Sequence, residues 1–161
     1  MNENWIKEIL ESEPVAISIH GRTLKQMYTG KADWEEIAKA AKIVKKTETL
    51  ILGNGDVKNI IEAKEKAKKY NLDGVLIGRA SFGNPWVFKD HIPTQKEKIS
   101  VAIEHCETFI KLIPNGHFPS LRKHLAWYTK GIPGSNELRN KLMSVNNIEE
   151  VREILLPQIG S

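Results

Sequence analysis

A chain of 161 residues is short for a barrel enzyme and holds one ordinary domain, or an incomplete one with a small appendage. Hydrophobic residues at 40% and charged residues at 27% supply a core and exclude a disordered class, and no apolar run reaches the roughly 18 residues of a membrane span. The formal net charge is +4, and cations exceed acids by the same small margin in residues 1–94 and 95–161, so a polyanion site has to come from local arrangement. Glu3, Lys7 and Glu8 stand where a signal peptide would be apolar, and the lone Cys106 has no partner in the chain. A soluble, cytoplasmic protein without disulfide, membrane segment or structural metal is expected.

In chain order, the first half alternates helical and extended patterns, as parallel strands joined by crossover helices do. Helical stretches are expected at Glu3–Glu11, Trp34–Lys45 and Val57–Tyr70, the last capped by Asp56. Each precedes a strand: Val15–His20 after Pro14, Thr49–Leu52 before Gly53, and Gly74–Ile77 before Gly78. The second and third strands are nearly continuous apolar runs, which predicts cover on both faces. In the first, Ala16, Ser18 and His20 share one side, and Val15, Ile17 and Ile19 the other.

After Pro85-Trp86 no strand pattern recurs, and four helices are expected. The first, Gln95–Ile113, sets Ile99, Ala102, Ile103, Cys106, Ile110 and Ile113 on one stripe, so Cys106 reads as a buried structural thiol. Pro119–Lys130 follows, then Ser135–Met143, then Ile148–Leu156 with Asn147 as its cap. The domains are placed at residues 1–90 and 91–161.

The informative positions are the carboxyl ends of the three strands, where α/β folds bind ligands. The first strand runs into His20-Gly21-Arg22-Thr23, an imidazole and a guanidinium just beyond the sheet. Taken alone, His20 reads more readily as a hydrogen-bonded structural residue than as a functional one. The second runs into Gly53-Asn54-Gly55-Asp56, a turn that suits a phosphate or simply relieves strain. The third runs into Gly78-Arg79, whose guanidinium suits paired hydrogen bonds to phosphate oxygens. Two donor-rich turns on consecutive strands point to one phosphorylated cofactor, the pattern of the last two strands of a (β/α)8 barrel.

In the helical half, Lys123, Trp127 and Lys130 fall at i, i+4 and i+7, two cations around one aromatic ring. That face suits RNA, the cations meeting phosphates and the indole a base. Without a family resemblance, a solvated helix with Trp127 packed on a neighbour suits it better. Arg122 and His124 flank it, and Leu121, Leu125 and Tyr128 face the helical core.

These segments together resemble the carboxyl-terminal part of a tRNA-dihydrouridine synthase. The resemblance rests on His20-Gly-Arg-Thr with Gln26, Tyr28, Gly30 and Ala32-Asp33-Trp34; on Gly53-Asn-Gly-Asp56; on Ile77-Gly-Arg79 with Gly83-Asn-Pro-Trp86; and on Arg122-Lys-His124 with Trp127-Tyr128. They stand in family order from His20 to about Gly134. Leu24-Lys25 and Ala80 depart from the family's common Arg and Gly. A dihydroorotate dehydrogenase would share the glycine turns but not the His20–Trp34 and Arg122–Tyr128 segments.

The resemblance implies an α/β fold: an incomplete (β/α)8 TIM barrel of about three parallel strands, followed by a small all-α bundle for tRNA recognition. It implies FMN as cofactor, NADPH as electron donor, and reduction of uridine to 5,6-dihydrouridine in tRNA. His20, Asn54, Gly55, Asp56, Gly78 and Arg79 would hold FMN. Arg22, Gln26, Arg122, Lys123, His124, Trp127 and Lys130 would contact tRNA. The family's catalytic cysteine and FMN-contacting lysine belong to earlier strands, so the isolated chain is expected to be inactive, with no catalytic residue of its own. A complete barrel needs eight strands and about 250 residues. An open sheet edge, and with it self-association, is therefore expected. The alternatives are a non-catalytic RNA-binding module with a vestigial flavin site, and a flavin barrel acting on a small metabolite.

Overall fold

The computed structural model describes residues 3–26 and 29–159. It contains α1 (Glu3–Leu10), β1 (Ala16–His20), α2 (Trp34–Val44), β2 (Leu50–Asn54), α3 (Ile60–Lys69) and β3 (Gly74–Leu76). Four helices follow: α4 (Gln95–Leu112), α5 (Arg122–Tyr128), α6 (Ser135–Leu142) and α7 (Ile148–Leu155). Short 3-10 turns lie at Arg79–Ser81, Pro85–Phe88, Phe118–Leu121 and Leu156–Ile159. The chain divides into two compact units, one with the sheet through Ala80 together with Val87–Asp90, the other with Ser81–Trp86 and the residues from His91 onward. Three parallel strands with flanking helices are consistent with part of a TIM-barrel-type fold.

In the sheet unit the strands run parallel in the order β1-β2-β3. Ile17 pairs with Ile51, His20 with Asn54, and Asn54 with Leu76. Opposed residues of neighbouring strands share a face, so Ile17, Ile51 and Gly53 lie together on one side. That side packs on the apolar stripe of α2, where Ile37, Ala40 and Val44 are fully buried, and Ile6 of α1 joins them. The Asp33 carboxylate accepts from the Glu35 and Glu36 N–H groups to start α2, an interaction of about 1 kcal/mol.

Among the described residues, nothing covers the other side of the sheet. Leu50 and Leu76 are 47% and 39% exposed, and Ala16, Ser18 and His20 are exposed as well. The apolar runs predicted cover on both faces. Three strands with helices on one side cannot supply it, because closure of a barrel over its interior takes the remaining strands.

A second difference concerns α3. It starts at Ile60, not at Val57, and its cap is Asn59, whose side chain accepts from the Glu62 N–H. Asp56 is no cap: its φ of 55° places it in the left-handed region, outside the helix, with its carboxylate in an ion-pair cluster.

In the helical unit, α4 opens with a reciprocal capping box between Thr94 and Glu97. Ile99, Ala102 and Cys106 of α4 are buried with Leu125, Leu142 and Val151. The stripe read as running to Ile113 ends early, since Ile110 and Ile113 are 41% and 52% exposed. Burial pushes the Cys106 thiol up to about 11. The segment read as one helix over Pro119–Lys130 is a 3-10 turn followed by the seven residues of α5. Lys130 therefore lies beyond the helix, and the i, i+4, i+7 face shrinks to Lys123 and Trp127.

Candidate functional site

The three strand ends meet at Asp56. β2 leaves the sheet through Gly55, with φ 139°, at which an added Cβ would stand 2.5 Å from the Ala32 Cβ. Only glycine lets the β1–α2 loop pack this closely on the turn. The Trp34 Nε1–H donates to the Gly55 carbonyl at 3.2 Å. That indole is itself stacked on Tyr70 and covered by the Lys66 ammonium.

The turn so fixed presents the Asp56 carboxylate to three donors. Arg22 Nη2 donates to Oδ1 and Oδ2 at 2.8 and 2.7 Å, the Ala32 N–H to Oδ2 at 2.7 Å, and Arg79 Nη2 to Oδ1 at 2.6 Å. Arg22, then the Ala32 amide and the Arg79 charge, hold the carboxyl below its usual range against the opposing push of burial. One carboxylate thus joins the β1–α2 loop, the β2 exit and the β3 exit.

Arg22 is 7% exposed and also donates to the Thr29 and Gly30 carbonyls at 2.7 and 2.9 Å, so its guanidinium ties loops together. Arg79 is 55% exposed. A Cβ added at Gly78 would meet nothing within 4 Å. A cation beside space that a side chain would otherwise fill fits a phosphate; Asp56 fits as the anchor of the two arginines, since a carboxylate and a phosphate repel. The residues present are thus compatible with the phosphate end of FMN.

His20 stands opposite Asn54 in the register, and its Nδ1 accepts from the Arg22 N–H at 3.1 Å, which in the neutral ring leaves the proton on Nε2. Gln26 Nε2 donates to the Lys31 carbonyl at 3.0 Å. His20, Arg22 and Gln26 line an open cleft of about 490 Å³ along β1, whereas Asn54, Gly55, Asp56, Gly78 and Arg79 do not. Tyr28, part of the same motif, lies outside the described residues.

In the helical unit Arg122 is engaged inside the fold. Its Nε donates to the Val145 carbonyl at 2.8 Å and its Nη2 to Asn146 Oδ1 at 2.9 Å, which fixes the α6–α7 connection. Trp127 stacks on Phe82 with ring centres 4.3 Å apart and planes at 9°. His124 and Trp127 form a T-shaped pair with ring centres 4.9 Å apart, and burial, followed by His105 and Lys123, lowers the His124 pKa. Lys123 and Lys130 are exposed, and Lys98 Nζ donates to the Lys130 carbonyl at 2.8 Å. Sequence reasoning missed Phe82 and Lys98, and it named Ala32 only as part of the Ala32-Asp33-Trp34 segment, without its contact to Asp56. Phe82 had one signal, an aromatic side chain just before Gly83-Asn-Pro-Trp86; the Ala32 contact runs through its backbone N–H, which a residue type does not reveal.

Residues 6–159 match the family model for dihydrouridine synthase. A protein of Rickettsia conorii named "Probable tRNA-dihydrouridine synthase" is 33% identical over 94% of this chain and 49% of its own length. Proteins of the same name from Staphylococcus epidermidis and Staphylococcus aureus are each 36% identical, over 94% and 95% of this chain and 48% of their own lengths. The chain spans about half the length of these relatives. With the match running through both units, the chain belongs to the dihydrouridine synthase family.

Proposed function

We propose that this chain supplies the FMN phosphate-end site and the tRNA-binding helices of a tRNA-dihydrouridine synthase, and that reduction of uridine requires the half of the relatives that it does not span. The observation that carries this reading is the junction at Asp56, where one carboxylate beyond β2 holds Arg22 and Arg79 from the ends of the two parallel strands that flank it. Asn54, Gly55, Gly78 and Arg79 would receive the phosphate and ribityl end of FMN. Asp56 would fix Arg79 from behind, and His20 would lie toward the flavin. When bound, FMN supplies the hydride that reduces the uracil double bond, after its own reduction by NADPH.

The chain's own share is binding and orientation. Arg79 neutralises phosphate charge, and its held guanidinium does not have to be ordered when the cofactor arrives. Lys123 and Lys130 would meet tRNA phosphates, with His124 and Trp127 as neighbouring aromatic surface. Arg22, Gln26 and Arg122 support these surfaces through their backbone partners.

The test is a titration of the 161-residue chain with FMN, followed by flavin fluorescence, beside tRNA binding at several salt concentrations. Saturable quenching that Arg79→Ala weakens by about tenfold, together with salt-sensitive tRNA binding, is expected. Absence of flavin binding beside intact tRNA binding would replace this reading with an RNA-binding module.

A further inference from the structure

Phe82 is 48% exposed, the open end of a ladder of rings in the helical unit. One reading of the sequence gives a nucleobase to the Trp127 indole. In the structure that indole is occupied. Phe82 stacks on it with ring centres 4.3 Å apart and planes at 9°, and the His124 ring stands at 82° to it with centres 4.9 Å apart. The surface that Phe82 turns away from the indole is left in water. The ring is nonetheless fixed in orientation. The Asn84 N–H donates to the Ser81 carbonyl at 3.0 Å and closes a turn around Phe82 and Gly83. Gly83, at φ 64°, sets this turn against the Trp127 backbone, where a Cβ would not fit. A ring held this way loses little freedom when a flat ligand lands on it.

The charges nearby decide which flat ligand. The Trp127 carbonyl, against which the Gly83 turn packs, also accepts from the Lys130 N–H at 3.3 Å, and the Lys130 carbonyl accepts from Lys98 Nζ at 2.8 Å. Lys123 stands one helical turn before Trp127 on α5. Among the described residues none of these three lysines forms an ion pair. A planar apolar surface beside uncompensated cations matches a base with its phosphates, whereas an apolar protein side chain would leave the cations unmatched. Resting on the reading of Lys123 and Lys130 as an RNA-facing pair, we propose that Phe82 is a stacking platform for an unpaired base of tRNA, with Lys98, Lys123 and Lys130 toward the flanking phosphates. This base is distinct from the uridine to be reduced, which has to meet the flavin. Because the contact is to a π face, it accepts any base.

The experiment compares Phe82→Leu and Phe82→Tyr with the parent chain in tRNA binding over a range of salt. Leucine keeps apolar bulk on Trp127 and removes the flat face; tyrosine keeps the face. Phe82→Leu is expected to weaken binding at least about fivefold at every salt concentration and to leave the salt slope unchanged, because a stacked base releases no counterions. Phe82→Tyr is expected to bind within about twofold of the parent. Should leucine lower the thermal midpoint by more than about 2 °C, a measurement on the parent chain decides. A uridine RNA of about eight nucleotides with one central 2-aminopurine is expected to lose fluorescence as that purine stacks. Unquenched 2-aminopurine at saturation, or a folded leucine variant that binds tRNA as tightly as the parent, overturns the proposal and leaves the lysines on the RNA. A parent chain that binds no tRNA overturns both.

Discussion

Arg22 and Asp56 lie 34 positions apart, yet Arg22 Nη2 donates to both oxygens of the Asp56 carboxylate. The pair is largely withdrawn from solvent, at 7% and 27% exposure, and Arg22 spends its remaining reach on the Thr29 and Gly30 carbonyls. Removing Arg22 leaves the carboxylate half-compensated and the loop untied. Arg22→Met is expected to cost about 2–3 kcal/mol, seen as a lower urea midpoint at unchanged slope.

Acid should loosen the same junction. The folded carboxyl of Asp56 titrates below its unfolded value of about 3.9. Its ionisation therefore contributes stability that is complete above that value and lost as pH falls toward the folded one. The stability gap between the parent chain and Asp56→Asn is expected to be wide at pH 6 and to narrow by pH 3, measured by urea unfolding at both. A constant gap would mean that the charge contributes nothing.

Cys106 should be inert while the helical unit is folded. Its thiol is buried in the core and pushed up to about 11, so little thiolate forms near neutrality. A thiol-specific disulfide reagent at pH 8 is expected to label it only after denaturant unfolds the unit. Prompt labelling of the native chain would contradict its placement on the buried side of α4.

Gly83 is required by Trp127. Its φ is 64°, and an added Cβ would stand 2.5 Å from the Trp127 carbonyl carbon. Gly83→Ala therefore meets both backbone strain and a collision with helix α5, and a loss of about 2–4 kcal/mol is expected. Indole fluorescence should report it, because the same step displaces Phe82 from the face of Trp127.

The lysines of the helical unit predict a salt signature. If Lys123 and Lys130 each meet a phosphate, neutralising either one to Gln should reduce the slope of log affinity for tRNA against log salt by about 1. Arg122→Gln should act differently, lowering the stability of the α6–α7 connection through loss of its bonds to Val145 and Asn146. A slope change for Arg122 equal to that of the lysines would place it on the RNA instead.

Strand positions were legible because β2 and β3 are short apolar runs closed by glycine, and α7 because Asn147 precedes an amphipathic stretch. The cap of α3 was misread for a physical reason: Asp56 and Asn59 are both good caps, and only the left-handed φ at Asp56 decides between them. The continuity of α5 was misread because Lys130 continues the helical spacing while the backbone leaves the helix at Thr129. At the site, the residue types at the strand ends could be read, but the partner of each could not. Arg22 looked like a side chain for substrate because nothing local announces that Asp56 lies within reach.

The indole of Trp34 gives the β2 exit a built-in reporter. Its N–H is committed to the Gly55 carbonyl and its ring is in contact with Tyr70 and Lys66. Any shift of that glycine changes the chemical shift and exchange rate of one of the chain's four indole N–H protons. Opening of the turn can therefore be followed in the intact chain without attaching a label.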